Sequence, residues 1–223
     1  MQTNRRGFTL IELTLALAFI AILLMLVASV LIDVGNVYQK GVITKDINQL
    51  GRETMDVMRR DLAQTSSDRV QFTVRGTGDN KTYRLCLGDV SYVANSSELL
   101  INSPSMAIVR GGEPVRLVRT ADVASGFCSA AALSNVTDPE ASELLVSGTS
   151  DIAVHNMNVE ELASDANQGL YRVSFMIGTN DPGTISDDKK CRTAGFVDSQ
   201  NQDYDYCSIA EFTTIVRTGG SRG

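Results

Sequence analysis

The feature that most constrains this chain is Leu13–Ile32, twenty consecutive residues without a charge. As an α-helix this run is about 30 Å long, the thickness of a bilayer's hydrocarbon core. Arg5 and Arg6 precede it and mixed charges follow it, which predicts a cytoplasmic N-terminus and an exported remainder. A secretory signal peptide has a shorter apolar core ending in a small-residue cleavage site. Here "ASV" at Ala28–Val30 is a poor version of such a site, so the run reads as an anchor that is kept. A plain anchor leaves Glu12 unexplained. A carboxylate within hydrocarbon costs about 3 kcal/mol or more unless something pairs with it, and Glu12 directly abuts the apolar run.

The helical pattern continues beyond the membrane length. Ile43, Ile47, Leu50, Thr54, Val57, Met58 and Leu62 recur at three- and four-residue spacing. Arg52, Asp56 and Arg60 stand four apart on the other face. No proline occurs before Pro104. A helix over 8–64 is therefore expected, roughly 85 Å long, with its 8–32 half in the membrane and its 33–64 half laying an apolar stripe on a head domain. Gly35, Gly41 and Gly51 each weaken it by about 1 kcal/mol relative to alanine. They serve either bending or close packing.

The segment "RRGFTLIELTLALAFIAILLM" closely resembles the class III signal of type IV pilins and pseudopilins, through Gly7, Phe8 and Glu12. The resemblance implies that a prepilin peptidase cuts between Gly7 and Phe8. Residues 1–7 are then a leader, Phe8 becomes an N-methylated terminus, and Glu12 is the fifth mature residue. The acid then has a physical reason. Packed into a filament without lipid, Glu12 pairs with the cationic amine of Phe8 on a neighbouring subunit or on its own chain, and a helix N-terminus favours an anion. Many major pilins carry a proline in this half of the helix, and this chain has none.

Beyond Asp68 the periodicity becomes alternating, which predicts an α+β chain: the long helix packed on a mostly antiparallel, β-rich exported head over 65–218, followed by a flexible tail at 219–223. Expected strands include Val70–Arg75, Thr82–Leu87, Ser91–Ala94, Glu98–Ile101, Met106–Arg110, Val115–Arg119, Leu144–Ser147, Ile152–Val159, Leu170–Ile177 and Ile209–Arg217. In "LYRVSFMI" the residues Tyr171, Val173, Phe175 and Ile177 share one face, as do Phe212 and Val216 in "IAEFTTIVR". Thr120–Ser142 and Gly178–Cys207 read as long irregular stretches, uncommon unless functional or stapled.

The four cysteines include no C-x-x-C, and in an exported domain an even count favours disulfides. Three pairings are possible. The sequential one, Cys86–Cys128 and Cys191–Cys207, is expected, because the second bridge closes an irregular fifteen-residue gap between two good strands.

Catalytic signatures are missing from the sequence: it has one histidine, His155, and no G-x-S-x-G elbow, Walker loop or H-E-x-x-H. A non-enzymatic protein without a cofactor is the expectation. Asp198, Asn201, Asp203 and Asp205 crowd one loop with oxygen ligands that suit calcium, but the EF-hand order and its glycine are missing, so a solvated acidic loop without metal is expected. The net charge of −6 gives no basic stripe for nucleic acid.

The order of elements, with "YQKG…INQLGRETMDVMRRDL" and "ELLVSGTSDIAVHNM…LYRVSFMI", is similar to W-type minor pilins and J-type minor pseudopilins. It implies a pilin-like fold and a structural subunit that initiates or caps a type IV pilus-like filament. Its partners would be the prepilin peptidase, other pilin or pseudopilin subunits and the membrane. It would sit in the inner membrane before assembly and at the cell surface after it. The same features fit a minor pseudopilin of type II secretion. A third possibility is a membrane-anchored adhesive or binding protein that joins no filament; such a chain would keep its leader.

Overall fold

The computed structural model of the chain describes residues 9–122, 125–131, 133–146, 151–165, 168–181, 191 and 207–219. One helix, α1 (Leu10–Gln64), runs for 55 residues and carries the expected stripe from Ile43 to Leu62. It ends at Gln64, as the pattern predicts: Thr65 is extended, its N–H bonds to the Leu62 carbonyl, and its hydroxyl donates to the Asp61 carbonyl. Ile47, Thr54, Met58 and Leu62 are buried, and Ile43, Leu50 and Val57 are half-buried against the same core.

Two antiparallel sheets receive that stripe. The first has the order β1–β2–β3–β6–β7, built from β1 (Gln71–Thr77), β2 (Asn80–Cys86), β3 (Val90–Asn95), β6 (Leu117–Ala121) and β7 (Ser142–Glu143). The second has the order β10–β9–β8, built from β8 (Ile152–Ser164), β9 (Gly169–Thr179) and β10 (Ile209–Arg217). A parallel bridge between Ser96 and Val154 joins them. The inner faces of both sheets and α1 share one core that includes Tyr92, Leu85, Leu117, Val173, Phe175 and Ile177.

The five-stranded sheet is covered on its outer face as well. Val93 and Val118 pack there on Ile108, Val115, Val136 and Ala141. Burial on two faces explains why "SYVAN" in β3 is buried throughout and does not alternate. The outer cover includes a small hairpin, β4 (Val109–Arg110) and β5 (Glu113–Pro114). Its two-residue turn, Gly111–Gly112, has φ of +61° and +94°, where glycine is the unstrained choice. Asn95 ties the cover down: its amide donates to the carbonyls of Ile108 and Val115 and accepts from the Ile108 N–H.

Several expected boundaries shift. Glu98–Ile101 is not a strand but part of a short helix, α2 (Ser97–Asn102), because the Ser96 hydroxyl caps it at the Leu99 N–H. Met106 closes a 3-10 turn that begins at Pro104, leaving only Val109–Arg110 as strand. The pairing expected over Leu144–Ser147 occurs earlier, at Ser142–Glu143; Ser147 lies outside the described residues. β8 extends to Ser164, with register shifts at His155 and Leu162. The Thr120–Ser142 stretch contains a helical turn, α3 (Gly126–Ser129). Gly219 is not free: a Cβ there would lie 2.7 Å from the Ala63 carbonyl oxygen.

Two disulfides are present, Cys86–Cys128 and Cys191–Cys207. The first fastens α3 to the end of β2, and the second ties Cys191 to a point two residues before β10.

Candidate functional site

Glu12 sits at the third position of α1, in a reciprocal capping box with Thr9. Its carboxylate accepts from the Thr9 N–H and the Thr9 hydroxyl, both at 2.9 Å, and the Glu12 N–H donates to that hydroxyl at 3.3 Å. These bonds satisfy backbone donors that every helix start leaves unpaired. The T-x-x-E spacing is itself a capping signature, so the sequence held this signal, although a reading centred on the charge of Glu12 passes over it. Gly7 and Phe8 lie outside the described residues.

From Leu10 to Val34 every side chain of α1 is exposed, and the helix is long and apolar enough to cross a membrane. The exposed apolar surface continues through Val37 and Tyr38, past the length of one bilayer crossing. Exposed and apolar on all sides, this half of the helix is compatible with a single-pass membrane anchor.

The helix meets the head along β10, and three contacts fix the register. The Thr44 hydroxyl lies 3.2 Å from that of Ser208, Gly51 lies under Phe212, and Ala63 lies beside Gly219. Both elements therefore run in the same direction. A Cβ at Gly51 would stand 2.1 Å from the Phe212 ring, so this glycine serves close packing. Phe212 in turn stacks on Phe175, with centroids 5.5 Å apart. At Gly35 and Gly41 nothing comes within 4 Å of a Cβ position.

A polar clamp holds the far end of the helix to the other sheet. Asp61 accepts from the Tyr92 hydroxyl at 2.5 Å and from Arg119 Nε at 2.7 Å, with a second Arg119 bond at 3.3 Å. Burial, then the bond to Asp61, pushes the Tyr92 phenol far above its usual value, and the same carboxylate raises Arg119. Asp61 reads from sequence as one more charge beside the helix stripe. Its partners are 31 and 58 residues away, so no local spacing reveals them.

His155 is buried in β8 with Nε2 3.1 Å from the Thr179 carbonyl oxygen. Asp198, Asn201, Asp203 and Asp205 lie outside the described residues; among the described residues, no group of three or more His, Cys, Asp or Glu is arranged to hold a metal. No family model, curated protein or solved structure matches this chain.

Proposed function

We propose that this chain is a minor pilin, a structural subunit that helps initiate or cap a type IV pilus-like filament. A prepilin peptidase removes residues 1–7, Phe8 becomes the new terminus, and α1 passes from the membrane into the filament core. The observation that carries this reading is one acid at the start of a helix whose next twenty-two residues are apolar or uncharged on all sides but one, Asp33. Glu12 is held facing the chain end by its two bonds to Thr9, so its charge stays beside the position where processing would create an amine. The head contributes a folded, disulfide-braced surface for neighbours.

Mass spectrometry of the N-terminus in cells with an active prepilin peptidase tests the reading most directly. The expected mature chain begins at Phe8, carries one added methyl group, and lacks Arg5 and Arg6. A chain that keeps Met1–Gly7 there would end the proposal. Recovery of the processed chain in sheared surface filaments is the second expected result.

A further inference from the structure

Arg84 in β2 is a buried cation, 3% exposed, and none of the ion pairs among the described residues includes it. An uncompensated buried charge costs several kcal/mol, and a guanidinium cannot shed its proton to escape that cost. The chain supplies only partial compensation. One Arg84 Nη donates to the carbonyls of Phe127, within α3, at 3.0 Å and of Ala130, just after it, at 2.8 Å. The Nε–H has no partner among the described residues.

Directly across the ladder from Arg84 stands Thr73 of β1, whose hydroxyl is also buried and unpartnered among the described residues. Paired strand residues share a face, so these two orphaned groups are cross-strand neighbours. Arg75, two residues along the same face of β1, is exposed and near enough for its charge to disfavour that of Arg84. It too is absent from the ion pairs among the described residues. This small area thus holds two guanidinium groups, a spare N–H and a spare hydroxyl, with no carboxylate partner among the described residues. β1 is the edge strand of its sheet and Arg75 is exposed, so the area opens to solvent on one side.

We propose that Arg84, Thr73 and Arg75 form a binding site for a small inorganic oxyanion of the sulfate or phosphate type. Arg84 Nε and the Thr73 hydroxyl donate to its oxygens, and Arg75 closes the open side with a second charge. Charge-assisted bonds of this kind are the strong ones, and a tetrahedral oxyanion can accept several at once. The site lies beside the Cys86–Cys128 bridge, so the bound anion would also brace α3 on the sheet. It does not depend on the filament reading.

The test is calorimetric titration of full-length protein, in micelles of an uncharged detergent, with sodium sulfate at constant ionic strength against sodium chloride. Sulfate is expected to bind saturably at one site per chain. Thr73→Val with Arg75→Gln, at the edge strand, is expected to weaken that binding about tenfold or more. Sulfate also stabilises proteins in general by exclusion from their surfaces. That effect does not saturate and persists in the double variant, which separates it from binding at this site. Arg84→Met should abolish binding; if it does not fold, the double variant still decides. No saturable binding to the wild type, or equal affinity in the double variant, would overturn the proposal.

Discussion

Glu12 caps the helix start, and in the proposed filament its charge would have a second, separable role. Substitution Glu12→Ala removes both, while Glu12→Gln keeps an N3 side chain able to complete the capping box. If charge pairing drives assembly, both variants are processed and inserted normally yet are lost from purified filaments. Incorporation of Glu12→Gln at wild-type levels would show that the cap alone matters. Tyrosines give a second residue-scale expectation. Burial, followed by the charges of Glu98 and Asp79, pushes the Tyr83 phenol up to about 12, and Tyr92 is raised as well. Both bind their proton more tightly when folded than when unfolded. Their contribution to stability is complete below the unfolded value of about 10 and is lost as pH rises through the folded values. Burial, then the charge of Glu161, raises Tyr171 too, so alkaline absorbance titration should find Tyr83, Tyr92 and Tyr171 all ionising later than a free phenol.

At the scale of elements, Gly51→Ala should destabilise the head despite alanine's better helix propensity. The added methyl meets the Phe212 ring, and overpacking costs about 1–3 kcal/mol. Phe212→Leu in the same chain should recover much of that loss, as expected for side chains in contact. Chemical denaturation of the four proteins of this cycle measures the coupling. Asp61→Asn should cost about 2 kcal/mol by weakening the charged bonds to Arg119 and Tyr92. The elements most legible in sequence were those with one clear period. The Gln64 helix end and the Ile209–Arg217 strand agree with the pattern, because α1 and β10 each bury a single face. "SELLIN" was not legible, since a run so short fits a strand until Ser96 is recognised as its cap. The Asp61 clamp and the Arg84–Thr73 pairing were hidden for a different reason: they join residues brought together only by the sheet. Glu12 stood out in the sequence, but its bonds to Thr9 did not.

Across the whole molecule, the two bridges constrain different parts of the head. In the chain-entropy model the Cys86–Cys128 ring of 42 residues is worth about 4 kcal/mol and the Cys191–Cys207 ring of 16 about 3 kcal/mol. Cys86→Ser with Cys128→Ser should therefore lower the midpoint of unfolding more than the equivalent change at Cys191 and Cys207, as read by thermal denaturation of the full chain. Peptide mapping without reductant should recover both linkages. The parallel course of α1 and β10 has a mechanical consequence. A pull on the N-terminal helix, along its axis and away from the head, loads the Thr44, Gly51, Asp61 and Ala63 contacts in shear, all together. Contacts sheared in parallel share the force, whereas contacts peeled apart fail one after another. A subunit tethered by α1 would thus keep its head under tension that would strip a helix attached at one end.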